Sequence, residues 1–311
     1  MPSLDPYLSP DSRDERLAAL VSAAGGNLVE YGRSVLGRPL LAGRLPGGGM
    51  GGAGQRVLVT ANIHGPEVVS CAVALALLGA VADMPALVRL RARAELWVIP
   101  CLNPDGYART WEQGGQGRLA KLRSNANGVD LNRNFPLPAG QKRARLPGAG
   151  STRPGDATYV GRAPLSEPET RSLALLLEQH PMRASANLHS FMGRLIPAHV
   201  TDAVAFARYK RLCGVFKSAQ PHSRYGRLSS RRFDTFTGEL EDYQHHHLGI
   251  WAMCVEVFPW WASLRQHLRA PSLFWRFNPR DPAPWAENDV GGIAAFLHAA
   301  LDLEPTARPA P

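Results

Sequence analysis

"TANIHGPEVVSCAVALALLG" (residues 60–79) joins two kinds of order: an apolar run of strand character stops at His64, and an apolar run with helical spacing starts after Pro66. Read backward, the strand covers "RVLVTANI" (56–63). Read forward, the helix covers "PEVVSCAVALALLGAVAD" (66–83), with proline in the first turn, where a missing N–H costs little. The junction carries His64 and Glu67, an imidazole and a carboxylate three residues apart that can reach a common point. On its own, H-x-x-E describes a polar turn capping a helix as well as it describes two metal ligands.

Outward from this junction the alternation continues. "AELWVIPCLN" (94–103) and "IWAMCVEVF" (250–258) are nearly apolar throughout, as strands covered on both faces are. "ASANLHS" (184–190) is a shorter strand. Helical spacing runs over 166–180, where Ser166 and Glu169 suggest a capping box, over 202–219, and over a terminal segment near 288–301. Strands alternating with helices predict an α/β fold, with a mixed, mainly parallel central sheet flanked by helices. The glycine-rich segment around 46–54 reads as a flexible connection. The stretches 103–165 and 220–249 exceed ordinary connections and are candidates for site-forming loops.

The chain has 311 residues, 45% of them hydrophobic, enough for a sizeable core. No run of about 18 apolar residues is present, which argues against a membrane span. The first twenty residues lack the basic end and apolar block of a signal peptide, so a cytoplasmic protein is expected. Cys71, Cys101, Cys213 and Cys254 lie far apart among apolar neighbours and predict buried free thiols. The formal net charge is +9. The arginines read as scattered, without a basic stripe interleaved with aromatics, so nucleic acid is not expected and an anionic small substrate fits the charge at least as well.

Chemistry concentrates in three places. "NPDGYARTWEQGGQGRLAKLRSNANGVDLNRNFP" (103–136) packs Arg123, Asp130, Asn132, Arg133 and Asn134 into twelve residues. Arginine and asparagine together suit a carboxylate, which guanidinium pairs through two parallel bonds. His189 in "SANLHSFMG" (185–193) ends a strand as His64 does, and with H-x-x-E it would complete two histidines and one glutamate. That set with an open fourth position forms catalytic zinc sites. Glu256 is the one charge in "AMCVEVFPW" (252–260) and is costly there unless paired or facing a site.

Together these residues resemble the zinc carboxypeptidase family M14: His64-x-x-Glu67, "GVDLNRNFP" (128–136), His189 and a late Glu256, in the family's order. "YGRSVLGRPL" (31–40) and "NPDGY" (103–107) resemble family segments too. The resemblance implies a carboxypeptidase-like fold in a single domain over 1–311, with one Zn²⁺ per chain held by His64, Glu67 and His189. By the same resemblance Glu256 is the general base, Arg123 stabilises the oxyanion, and Asn132 with Arg133 grips a substrate's free carboxylate. Asp130 then orients His64. The implied partner is a peptide or small amide.

One departure stands out. The family carries a tyrosine about twenty residues before the catalytic glutamate; here Phe233 and Phe236 lie near that place, with Tyr225 and Tyr243 to either side. Glu239, Glu241 and Asp242, in the stretch that lines the pocket for the terminal side chain, suggest a substrate carrying an amine. His245, His246 and His247 read as a solvated run rather than a second metal site. The branch resembling murein peptide amidases, which cut before diaminopimelate, stands beside ordinary C-terminal peptides. An acyl-amino-acid amidohydrolase and a non-catalytic binding module are the other readings.

Overall fold

The computed structural model describes residues 3–48, 54–231 and 235–306. Residues 49–53 of the glycine-rich segment and Phe233 lie outside them. In chain order the elements are α1 (Pro10–Ala23), β1 (Asn27–Arg33), β2 (Pro39–Leu45), β3 (Arg56–Ala61), α2 (Val68–Gly79), α3 (Pro85–Arg93), β4 (Glu95–Ile99), α4 (Pro104–Glu112) and α5 (Leu119–Arg123). There follow α6 (Pro168–Gln179), β5 (Ala184–Ser190), β6 (Arg194–Pro197), α7 (Ala203–Ser218), β7 (Gly226–Arg227), α8 (Leu240–Leu248), β8 (Trp251–Val257), α9 (Trp260–Arg269), α10 (Phe274–Phe277) and α11 (Ala283–Ala300).

The eight strands form one sheet in the order β1-β2-β4-β3-β5-β8-β6-β7. Its centre, β4-β3-β5-β8, is parallel throughout; β1, β2 and β6 pair antiparallel with their neighbours toward that centre. Strand alternation sends Val57, Val59 and Ala61 into the core under α2, α7 and α11, while Leu58 joins Trp97, Leu173 and Tyr243 in the core under α6 and α8. Both faces of the central strands are therefore covered, which is why β4 and β8 read as nearly apolar runs.

Several expectations shift in detail. The terminal helix starts at Ala283 rather than near 288. The capping box is absent: Glu167 is the N-cap of α6 without a side-chain cap bond, while Ser166 Oγ donates to Glu167 and Glu169 accepts from Val35 N–H. The glutamate that would close the box is recruited by β1's neighbouring turn. The 220–249 stretch is not irregular throughout, since it contains β7 and α8. All four cysteines are buried and free.

Candidate active site

In a parallel sheet the C-terminal strand ends open onto a crevice, and side chains there converge from strands distant in sequence. Here β3 leads into His64, β5 ends on His189 and Ser190, and β8 carries Glu256 opposite His189 in the ladder. The turn after β3 is tight. Asn62 adopts a left-handed φ of 52° and its side chain donates to His64 O at 3.0 Å. Gly65 packs so closely that a Cβ would lie 2.4 Å from Leu122 O and 2.5 Å from Gly106 O; only glycine fits. This geometry aims His64 and Glu67 inward together. Glu67 does occupy the N-cap position of α2, but its side chain makes no cap bond.

Glu67 instead lies between two imidazoles. Its Oε1 is 2.8 Å from His64 Nδ1 and its Oε2 is 3.1 Å from His189 Nδ1, with Ser190 N–H donating to Oε2 at 3.2 Å. One ligand atom from each of His64, Glu67 and His189 lies within 4.8 Å of the others, all three residues being buried. His64 Nε2 faces Asp130 Oδ1 at 3.0 Å. With the ring neutral and Nε2–H donating to that carboxylate, Nδ1 would present a lone pair to another carboxylate 2.8 Å away, a repulsive pairing that a cation between them relieves. The donor set and its carboxylate support fit zinc. Burial opposes ionised Glu67 and Asp130, but His64 and His189 hold the first, and Arg123 and His64 the second, well below the usual carboxylate range.

Around this cluster is a cavity of about 260 Å³, lined also by Arg123, Asn132, Arg133, Glu239, Glu241, Cys254 and Glu256. Arg123 Nε donates to Asp130 Oδ2 at 2.8 Å, and its Nη1 is 3.7 Å from Glu67 Oε1. Burial works against the charge on Arg123, but Asp130 and Glu67 outweigh it and raise its pKa. Asn132 accepts from Leu240 N–H at 2.9 Å through Oδ1, so its amide NH₂ is the group left for a ligand. Arg133 is shared: Nη1 lies 3.1 Å from Glu239 Oε1 and donates to Asn132 O at 2.7 Å. Glu256 Oε2 has no hydrogen-bond partner among the described residues. Burial pushes its pKa up to about 7, with Glu67 adding to the rise and His189 and Arg123 opposing it.

The structure thus brings together all eight residues singled out from the sequence, and it separates others. Asp242 is not in the cavity; its Oδ1 accepts from His199 N–H at 2.7 Å. Glu241 is, buried, with Oε2 unpartnered among the described residues and its pKa raised by burial and by neighbouring Glu239 and Asp242. The histidine run is not solvated. His245 meets Tyr209 Oη at 2.8 Å, and His246 and His247 face the carbonyls of His199 and Leu137 at 2.8 and 3.1 Å. Each ring closes a contact between α8 and its surroundings, which a helix at this position requires and a loop would not.

Neither tyrosine near the expected place reaches the site. Tyr225 Oη donates to buried Asp289 at 2.9 Å, and Tyr243 stacks on Phe135 at 5.4 Å. Phe236 packs edge-on against His199 at 4.8 Å. Phe191, Met192 and Phe277 form the apolar side of the cavity instead. Sequence reading missed these and Cys254. The sequence signal was available for Phe191 and Met192, which directly follow His189-Ser190, but not for Phe277, which α10 delivers from outside the motifs.

Comparison with known proteins agrees with this geometry. The chain is 27% identical over 313 residues to mouse carboxypeptidase D, covering 81% of this chain and 21% of that protein. It is 37% identical over 155 residues to murein peptide amidase A of Escherichia coli, covering 48% of this chain and 53% of the relative. The chain therefore spans about a fifth of the first relative and about half of the second. Bovine thrombin-activatable fibrinolysis inhibitor, solved in complex with tick carboxypeptidase inhibitor, shares the fold: TM-score 0.72 at 19% identity, over 95% of this chain and 97% of that one. Residues 25–259 match the peptidase M14 profile, and with the His–Glu–His cluster at the strand ends this chain belongs to the zinc carboxypeptidase family.

Proposed function

We propose that this chain hydrolyses the amide bond preceding a C-terminal residue whose side chain carries an amine. One observation carries the reading. A single cavity joins the His64–Glu67–His189 cluster, the guanidiniums of Arg123 and Arg133, and two carboxyl groups, Glu241 and Glu256, each with an oxygen lacking a partner among the described residues.

His64, Glu67 and His189 would hold the zinc, which when bound polarises a carbonyl and makes water a stronger nucleophile. Arg133 and the Asn132 amide grip the substrate's terminal carboxylate, which confines cleavage to the chain end. Glu239 shares Arg133 and balances its charge while the site is empty. Glu256, as general base, takes a proton from the attacking water and returns it to the departing nitrogen. Arg123, locked by Asp130, donates to the oxygen on which negative charge develops. Asp130 also fixes the ring of His64. Glu241, which also lines the cavity, is costly to ionise alone; an incoming ammonium restores its charge and pairs with it.

Both lysine-ended peptides and γ-D-glutamyl-diaminopimelate peptides present such an amine. The partial likeness to murein peptide amidase A supports the second. The four free thiols fit a reducing compartment such as the cytoplasm, and the continuous sheet supports one catalytic domain.

Zinc-loaded protein offered blocked peptides ending in lysine, glutamate or leucine, beside L-Ala-γ-D-Glu-diaminopimelate, should release lysine or diaminopimelate selectively. Equal release of leucine would remove the amine-reading role. Glu241→Gln should lower kcat/KM for amine-bearing substrates about 10–100-fold, the worth of a charge-assisted bond, while leaving leucine release nearly unchanged. Lysine release unaffected by Glu241→Gln would overturn the assignment.

A further inference from the structure

Helix α9 is mounted the opposite way from a core helix. Gln266 faces inward and donates to the carbonyls of Trp275 and Asn278, and His267 stacks on Phe191 with ring centroids 4.1 Å apart. The apolar side faces water: Trp260, Trp261, Leu264 and Leu268 are 48, 58, 48 and 81% exposed. Residues 260, 264 and 268 are successive turns of one helical stripe, with Trp261 alongside. A contiguous apolar stripe left in water marks an interaction surface.

Its surroundings specify the occupant. Residues 259–280 contain four arginines, Arg265, Arg269, Arg276 and Arg280, and no acidic residue. All four arginines are exposed. This stretch is the basic–aromatic interleaving that the sequence reading did not find. Nucleic acid would use the arginines and indoles but offers nothing to Leu264 and Leu268. A second copy would bring like-charged arginine margins together across a two-fold. An anionic bilayer accommodates every component: leucines among acyl chains, indoles at headgroup depth, guanidiniums on phosphates. Among the described residues no helix is long and apolar enough to cross a membrane, and a ten-residue helix lies on a surface.

We propose that α9 docks the protein peripherally on an anionic lipid surface. Because His267 stacks on Phe191, which lines the catalytic cavity, docking sets the cavity's rim beside the headgroups. This inference stands apart from the proposed activity and is tested without it.

The full chain should cosediment with phosphatidylcholine vesicles containing phosphatidylglycerol, and its tryptophan emission should shift to the blue. Partitioning should exceed that onto pure phosphatidylcholine about tenfold or more and decline with salt, each arginine contributing about fivefold. The double variant Trp261→Ser/Leu268→Ser should lose this binding, keep its melting temperature and cleave soluble peptides as before. Arg265→Gln/Arg269→Gln tests the charge independently. Equal partitioning onto both vesicle types, or binding unchanged in the double variant, would overturn the proposal. So would a dimer in size-exclusion chromatography that the double variant abolishes, or preferential binding of single-stranded DNA.

Discussion

Glu256→Gln is expected to lower kcat by about 10³-fold, within the range of general acid–base catalysis, while zinc content and KM stay near those of the parent. Glutamine matches the shape of glutamate, but its amide has no basic oxygen that can accept and return a proton. Among the described residues Oε2 has no partner, and burial without a donor keeps the carboxyl basic, pushing its pKa up to about 7. Zinc held by His64, Glu67 and His189 would add positive charge nearby and lower that value, favouring the ionised carboxylate at neutral pH. The sign follows: kcat/KM should fall as pH drops through the Glu256 pKa, on an acid limb below pH 7, and residual turnover in the variant should lack this limb. Equal acid limbs in parent and variant, or unchanged kcat, would refute the role.

His189→Ala is expected to be as damaging by another route. Glu67 and His64 would remain, but two ligands cannot close the site. Metal content by mass spectrometry should fall well below one zinc per chain, and turnover by about 10³-fold or more, since the metal supplies several kcal/mol of transition-state stabilisation. Added zinc should restore the parent after chelation but not the variant. The fold should survive, because β5 is held by both β3 and β8 and by Asn187, which meets Gln244 of α8 at 2.8 Å. Full zinc content in His189→Ala would remove His189 from the ligand set.

The sheet and its site were legible for a shared reason. Strands covered on both faces, such as β4 and β8, become nearly apolar runs, and His64, His189 and Glu256 are titratable residues at or just beyond the C-terminal ends of β3, β5 and β8. A polar group at the end of a buried strand announces itself. The flanks did not, because their signals are local and weak. The α8 segment looked like a loop since His245, His246 and His247 are ordinarily surface residues; here their ring nitrogens meet Tyr209 Oη and two backbone carbonyls. Asp242 and Glu241 are adjacent in sequence, yet one accepts a backbone N–H and the other faces the cavity, a distinction set by helix phase alone. The helix α9 was not read from the sequence, and helical spacing would not have said which side turns inward; Gln266 decides that through the carbonyls of Trp275 and Asn278.

The position of β8 has a consequence for synthesis. Among the described residues it is the last strand, yet it lies between β5 and β6 in the sheet. A ribosome that has released residues up to Ser190 has made all of the His64–Glu67–His189 cluster, but β5 still has one bare edge. That edge is a row of unpaired N–H and C=O groups, the kind that recruits strands from other nascent chains. The three cluster residues can therefore come together before Glu256 exists beside them. Closing the edge and completing the cavity are one event, the insertion of the strand that carries Glu256.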